Sequence, residues 1–245
     1  MTETPSHHAF TLSPIGFIES DYPDKFGIPR QPGLAPAARA SLVLVPPFDD
    51  PLAVRGLEDF SHLWLTFLFH LSPEQADAES WTPLVRPPRL GGNVKVGVFA
   101  SRSTHRPNRL GLSLVELVEI DTRRGVRLIL GGGDLVSGTP VLDIKPYLPW
   151  AEARADARAG FAPNAPPLLS VAFSTGATAT LAERPDGDSL GELITQVLAQ
   201  DPRPAYRRGA ETRLYGVRLR DVDVRFHATA TDEGTRIEVV EIVST

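Results

Sequence analysis

Short runs rich in Val, Ile, Leu and Phe, each bounded by glycine or proline, fill most of the first 150 residues. Such runs are typical of β-strands, and no long amphipathic helix alternates with them. The pattern therefore argues against a parallel doubly wound sheet. It predicts a mainly β fold that begins with a closed or nearly closed antiparallel barrel. The predicted strands cover residues 15–19, 41–45, 62–70, 94–100, 112–120, 126–130 and 140–144.

The run at residues 61–70 carries the clearest strand signal. Its odd-numbered positions from Leu63 to Phe69 are all apolar, and alternate side chains of a strand point to the same face. His62 and His70 fall on the other face, too far apart along a strand to bind one metal ion. Because the chain has no cysteine and its histidines lack metal-ligand spacing, we expect no metal site.

The composition changes at residues 151–167, which are rich in alanine and proline. We therefore expect a barrel domain over residues 1–155 and a smaller α+β domain over residues 156–245. Ser189 and Glu192 form a candidate capping box at the start of a helix with apolar residues at helical spacing. Strands are predicted at 168–175 and near 214–219, 222–228 and 236–243, with a turn or bulge at residues 220–221.

The formal net charge of −5 argues against a nucleic-acid-binding protein, but the charges are unevenly distributed. Residues 85–127 contain nine Arg and Lys against three Asp and Glu, and residues 200–225 contain seven against four. Local potential decides what binds to a surface. Two basic patches are suited to phosphate binding, although solvated surface arginines would produce the same counts.

The sequence indicates a soluble protein of the cytoplasm. The first 14 residues lack a basic start followed by an apolar core, so we expect no signal peptide. The longest nearly apolar run, residues 63–69, is far shorter than the roughly 20 residues that span a membrane. The absence of cysteine is consistent with a reducing compartment.

Arginines and prolines are concentrated in four predicted loops, at residues 25–33, 85–93, 102–109 and 201–208. Proline limits the flexibility of a loop, and a guanidinium group pairs bidentately with phosphate or carboxylate. The glycine-rich stretch at residues 131–134 lacks the features of a nucleotide-binding loop, and no catalytic triad emerges. The residues alone thus indicate a β-rich protein whose loops suit an anionic ligand, with ordinary solvated loops as the alternative.

Taken in order, these loops resemble the TrmO family of tRNA methyltransferases, in motifs that span nearly the whole chain. The motifs lie at residues 26–33, 54–58, 60–64, 85–93, 97–103, 106–108, 134–140, 143–147 and 201–207. The resemblance implies methylation of N6 of an adenosine on the 3′ side of the anticodon by S-adenosylmethionine. It also implies that this adenosine already carries a threonylcarbamoyl group, that the substrate is threonine tRNA, and that the enzyme is a homodimer with the cofactor near the subunit interface.

By motif position, the resemblance also implies a cofactor site. Its residues would be Arg30, Gln31, Pro32, His70, Leu71, Arg102, Leu112, Asp134, Leu135, Val136 and Ser137. Ser137 stands where an acidic residue is expected, and Leu71 where a polar side chain can occur. We expect these two residues to contribute backbone contacts only.

The acceptor nitrogen belongs to a urea-like group and should lose its proton during attack, which calls for a base. Asp143 and Asp201 are the candidate bases, and Tyr206 or Tyr147 would stack on the exposed adenine. The remaining candidate substrate-binding residues are Arg106, Asn108, Lys145, Arg203 and Arg207. Two alternatives remain open: a non-catalytic RNA-binding module, and a cofactor-dependent methyltransferase with another acceptor.

Overall fold

The computed structural model describes residues 10–72, 82–203, 211–232 and 234–245. Strands of the first part of the chain form a closed antiparallel barrel in the order β1–β2–β7–β6–β3–β8, so the predicted barrel is confirmed. Their bounds, with those of a separate two-stranded hairpin formed by β4 and β5, are β1 (Gly16–Ser20), β2 (Arg39–Leu44), β3 (His62–Leu68), β4 (Leu84–Val85), β5 (Val96–Gly97), β6 (Leu110–Asp121), β7 (Arg127–Gly131) and β8 (Pro140–Pro146).

The alternation read from the sequence builds the barrel core. Leu63, Leu65 and Phe67 of β3 are buried, and they pack with Leu42 of β2 and Leu128 of β7. Inward-facing and outward-facing residues alternate along each strand of a barrel, so the other residues of β3 lie on its outer surface. That outer surface becomes important for the site described below.

The strand predicted at residues 94–100 is wrong for most of its length. Only Val96–Gly97 pairs, with Leu84–Val85, and Val98–Ala100 forms a 3-10 turn. A strand needs a partner along its length, and the barrel closes without this segment. Residues 82–109 instead lie in the connection between β3 and β6, and this segment is called the arm below.

The second part of the chain is an α+β unit. Its sheet has the order β10–β11–β12–β9, antiparallel except for the parallel pair β12 and β9. A turn at residues 220–221 separates β10 from β11, as predicted, and Arg220 there has φ of +53°. The elements are α1 (Pro149–Glu152), β9 (Ser170–Phe173), α2 (Thr175–Ala182), α3 (Gly187–Ala199), β10 (Glu211–Leu219), β11 (Val222–Thr231) and β12 (Gly234–Ser244).

The predicted helix is present as α3, but its predicted capping box is wrong. The helix begins at Gly187, three residues before the start that a Ser189 cap implies, so Ser189 lies in its first turn and its hydroxyl donates to the carbonyl of Asp186. Helix α2 was not predicted, because its threonines and glycine have low helix propensity and show little amphipathic periodicity. It is stabilised by the Ser174 cap at its start and by burial of Ala177.

The two parts of the chain share contacts through the segment that joins β1 to β2, residues 21–38. Its residues Tyr22, Ala35 and Ala38 are buried in the core of the C-terminal unit. Arg220 also pairs with Asp21 at 3.1 Å and with Asp186 at 3.0 Å. The segment is therefore held by the C-terminal unit, although both of its ends enter barrel strands.

The described part of the chain lacks a membrane-spanning helix and a metal-binding cluster. Its helices include none that is long and apolar enough to cross a membrane. Its His, Asp and Glu side chains form no group that could hold a metal ion.

Candidate functional site

The bend at residues 30–33, where three cofactor-binding residues were predicted, is held from two sides. On the barrel side, the backbone N–H of Gly33 donates to the carbonyl of Gly132 at 2.8 Å. On the other side, Gln200 of the C-terminal unit donates to the carbonyl of Leu34 at 3.0 Å. The bend therefore has a defined position between the two units.

Gly27, just before the bend, is required by its surroundings. Its φ is +92°, and a Cβ atom added there would lie 2.2 Å from Cγ2 of Val217. Only glycine adopts such a backbone without strain and tolerates such a close approach. The chain thus enters the bend directly against the C-terminal sheet.

The bend, the arm and the turn after β7 meet through polar side chains. The guanidinium of Arg102 donates to the side-chain oxygen of Gln31. Asp134, in the turn after β7, is near enough to Arg102 for that charge to act on its carboxyl, and it accepts a hydrogen bond of 2.5 Å from the hydroxyl of Ser113 in β6. Three loops that are distant in sequence therefore converge at one rim of the barrel.

The carboxyl of Asp134 lies in a poorly solvated place. Burial raises the pKa of its carboxyl above the usual value, whereas the Ser113 hydroxyl, its own backbone N–H and the charge of Arg102 act to lower it. Among the described residues, no cation lies within ion-pair distance of this carboxylate. Hydrogen-bond donors from a ligand would favour its ionised form.

His70, at the end of β3, lies beside the loop at residues 134–138. A Cβ atom added at Gly138 would be 3.8 Å from Nε2 of His70. Burial and the nearby charge of Lys25 lower the pKa of His70, partly opposed by a hydrogen bond to the backbone of Leu68. The lowered pKa favours the neutral imidazole at pH 7, which can donate one hydrogen bond and accept another.

Two hydrogen bonds to backbone carbonyls hold the loop at residues 134–138 against the end of β1. The hydroxyl of Ser20 donates to the carbonyl of Leu135 at 2.7 Å, and the N–H of Ser137 donates to the carbonyl of Tyr22 at 2.9 Å. Leu135 is buried in the barrel core, and Leu71 accepts from the side chain of Lys25 through its carbonyl. The backbone of this loop is thus fixed in place beside His70.

Three predicted residues lie on the outer surface of neighbouring strands. Thr66 of β3 pairs with Leu112 of β6 on one side and with Asp143 of β8 on the other. Directly paired residues share a face, and adjacent strands are about 4.8 Å apart. Asp143 is therefore about 10 Å from Leu112, and Lys145 follows on the same face of β8.

An open cleft of about 280 Å³ adjoins this surface. It lies between the bend at Pro32 and the outer faces of β3 and β6, where His62 and Glu116 are paired. The ring of Tyr147 packs edge-on against His62, with centroids 6.4 Å apart. The cleft thus lies between the predicted cofactor bend and His62, which contacts the predicted substrate residue Tyr147.

The remaining predicted residues belong to other segments or lie outside the described part of the chain. Arg203 is fully buried at the end of α3, and its Nε and Nη2 donate to the two carboxylate oxygens of Asp201 at 2.7 and 3.1 Å. Arg106 and Asn108 belong to the arm. Tyr206 and Arg207 lie outside the described residues.

Sequence reasoning missed Ser113, which holds Asp134. The signal was present: Ser113 stands between Gly111 and Val115 at an inward-facing position of β6, where an apolar side chain is expected. A polar residue on the buried face of a strand needs a hydrogen-bond partner. Its partner could not be inferred, because Asp134 is 21 residues further along the chain.

Fold and site together define a class: a β-barrel protein, outside the Rossmann architecture, whose rim gathers cationic, acidic and apolar groups for a polar ligand. The profile described as the tRNA-methyltransferase O N-terminal domain matches residues 17–153, and that of the TrmO C-terminal domain matches residues 166–245. The chain belongs to the TrmO family.

Named relatives extend over nearly the full length of the chain. A protein of Escherichia coli K12 named tRNA (adenine(37)-N6)-methyltransferase is 49% identical over 95% of this chain and 98% of its own. A Pseudomonas aeruginosa protein that carries the name of an S-adenosylmethionine-dependent methyltransferase, RcsF, is 52% identical over 91% of this chain and 94% of its own. The crystal structure of TrmO from Pseudomonas aeruginosa superposes with a TM-score of 0.77 at 44% identity, covering 97% of this chain and 99% of that one.

Proposed function

We propose that this chain transfers a methyl group from S-adenosylmethionine to N6 of threonylcarbamoyladenosine, next to the anticodon of threonine tRNA. Methylation of adenine N6 in tRNA is supported by family membership over both domains and by the name of the Escherichia coli relative. The threonylcarbamoyl group and the threonine tRNA come from the motif resemblance. The single observation that carries the proposal is the convergence of the three loops at one rim.

The polar and apolar groups at this rim fit S-adenosylmethionine, which supplies a methyl group activated by its sulfonium sulfur. Arg30 and Arg102 would bind the carboxylate of the methionine moiety, and Asp134 would accept hydrogen bonds from the ribose hydroxyls. Leu112, with half of its surface exposed, offers an apolar contact. The other cofactor-binding residues of the proposal are Gln31, Pro32, His70, Leu71, Leu135, Val136 and Ser137.

The chain's own contribution to catalysis is positioning and proton removal. In-line transfer requires that the acceptor nitrogen be held in line with the methyl group, and such alignment lowers the barrier substantially. Asp143 is our first candidate for the base, since it lies on the same face as Leu112 and makes no ion pair with the described residues. Asp201, which binds Arg203, is the second candidate.

Substrate recognition is assigned to residues on and near the outer face of β8, in the arm and in the segment after α3. Lys145 would pair with the threonyl carboxylate or a phosphate, and Tyr147 or Tyr206 would stack on the adenine. Recognition of the carboxylate by a cation would explain discrimination against unmodified adenosine. Arg106, Asn108, Arg203 and Arg207 complete the proposed substrate-binding set.

We expect one methyl group to be added to threonylcarbamoyladenosine when the protein, the cofactor and threonine tRNA are combined. Mass spectrometry of the released nucleosides measures this addition, with tRNA lacking the threonylcarbamoyl group as a parallel substrate. The variant Asp143→Asn should lower kcat by about 100-fold, as is typical for loss of a general base. Its affinity for the cofactor in calorimetry should be unchanged, and Asp232→Asn, an exposed acid on the β11–β12 turn, serves as the control.

Three results would contradict parts of this proposal. A methyl group found on another acceptor would leave a methyltransferase with a different substrate. No binding of S-adenosylmethionine at millimolar concentration would indicate a non-catalytic RNA-binding module. Full activity in Asp143→Asn would transfer the role of base to Asp201.

We further propose that the protein acts as a homodimer through the outer face of β6. On this face Leu110 and Leu112 expose 37% and 50% of their surface, and Val118, beyond Glu116, exposes 51%. Exposed apolar side chains grouped on one face are typical of an interaction site. Leu112 is also a proposed cofactor residue, which agrees with a cofactor near the subunit interface. In sedimentation analysis the wild-type chain should be a dimer and Val118→Asp a monomer. Val94→Asp, which changes an exposed apolar residue of the arm, is the control and should remain a dimer. A monomeric wild-type chain would exclude the proposal.

A further inference from the structure

The arm carries a strong excess of positive charge. Its residues 82–109 contain six Arg and Lys and no Asp or Glu. Arg86, Lys95, Arg102 and Arg106 make no ion pair with the described residues, in contrast to several arginines of the C-terminal unit. Cations without a paired acid attract a polyanion.

The arm also presents an aromatic ring. Phe99, in the middle of the 3-10 turn Val98–Ala100, has 70% of its surface exposed, while its neighbour Val98 is buried and anchors the turn. The guanidinium carbon of Arg106 lies 5.9 Å from the centroid of the Phe99 ring. Arg106 also donates to the carbonyl of Ser101 at 2.9 Å, so the guanidinium is held over the ring.

The ring and the guanidinium stand next to the candidate cofactor site. Arg102, three residues after Phe99, donates to Gln31 in the bend and acts electrostatically on Asp134. A nucleic acid bound at this rim would therefore lie close to the arm. Bases of a single-stranded loop are unpaired and can stack on aromatic rings and guanidinium planes.

We propose that Phe99 and Arg106 form a stacking platform for an unpaired base of the RNA substrate, one that neighbours the methylated adenosine. This inference rests on the proposed function and adds a recognition element to it. Stacking on an aromatic ring accepts any base, so the platform holds the loop in place without reading its sequence. An exposed ring among cations that form no ion pair with the described residues favours a nucleic acid over an apolar segment of protein.

The test is the affinity for threonine tRNA at one fixed salt concentration. Phe99→Ala should weaken binding by about tenfold, within the range observed for loss of one stacked base, and Phe99→Trp should restore it. Leu84→Ala is the matched control, because Leu84 is an apolar residue of the same arm, with 51% of its surface exposed. Neither Phe99→Ala nor Leu84→Ala should change the affinity for S-adenosylmethionine.

The salt dependence separates stacking from charge. Phe99→Ala should keep the wild-type slope of log K against log salt concentration, because it removes no cation. If Lys95→Ala weakens binding, the slope of log K against log salt concentration should also become shallower by about one, because a cation has been removed. Wild-type tRNA affinity in Phe99→Ala, or no recovery in Phe99→Trp, would overturn the platform; a wild-type protein that neither binds nor methylates tRNA would overturn the proposed function itself.

Discussion

Two poorly solvated carboxylates, Asp134 at the rim of the barrel and Asp201 just after α3, are compensated in different ways. The Asp201–Arg203 pair after α3 is called the junction below. At the junction, both oxygens of Asp201 accept hydrogen bonds from the fully buried Arg203. At the rim, Asp134 is held by the hydroxyl of Ser113, and Arg102 acts only at longer range. The junction thus neutralises its charge internally, whereas the rim leaves a carboxylate whose ionised form needs further donors.

The difference indicates two roles for ionised groups in one chain. A paired carboxylate and guanidinium fix local structure, because separating them leaves a charge in a medium of low dielectric constant. An incompletely compensated carboxylate costs stability but can bind a ligand strongly. Changes at the junction should therefore affect folding, and changes at the rim should affect ligand affinity.

The largest expected effect is on folding. Arg203→Ala removes one partner of the buried pair and should lower the free energy of unfolding by about 3–5 kcal/mol, measured by urea denaturation. Arg225→Ala provides the control, because Arg225 pairs with Glu241 on the surface and exposed pairs contribute at most about 1 kcal/mol. If Arg203→Ala instead folds with normal stability and loses only tRNA binding, the substrate role implied by the family resemblance is correct.

A smaller effect, on ligand affinity, is expected at the rim. Asp134→Asn should weaken binding of S-adenosylmethionine by at least about tenfold, since a hydrogen bond to a charged group contributes about 1.5–3 kcal/mol. Calorimetry measures the affinity. A variant with wild-type affinity would show that Asp134 does not contact the cofactor.

The pH dependence of the same variant sharpens the contrast. Burial raises the pKa of Asp134 in the folded protein above its unfolded value of 3.8. The folded state therefore binds the proton more tightly than the unfolded state, and the resulting stabilisation is fully present below pH 3.8. The contribution is lost as the pH rises through the raised pKa. The Tm of Asp134→Asn, relative to that of the wild type, should therefore increase between pH 4 and pH 7; a constant difference in Tm would contradict the burial argument.

Much of the fold followed from local patterns. Alternating apolar residues predicted β3 and its buried face, and the helical spacing of leucine and valine predicted α3. The exceptions have local causes: residues 94–100 lack a long partner strand, and α2 depends on packing rather than on periodicity. Composition predicted the cationic loops, but it did not reveal that the arm carrying Arg102 folds back onto Gln31.

The sequence by itself determined the strand content of the barrel, the helix of the C-terminal unit and the family to which the chain belongs. These features depend on side-chain period and on motifs whose residues are close together in the chain. Only the tertiary structure decided that Ser113 holds Asp134, that Arg203 pairs with Asp201 inside the protein, and that the C-terminal unit supports the bend at residues 30–33. Burial and pairing between distant segments depend on how the elements pack, which no local pattern encodes.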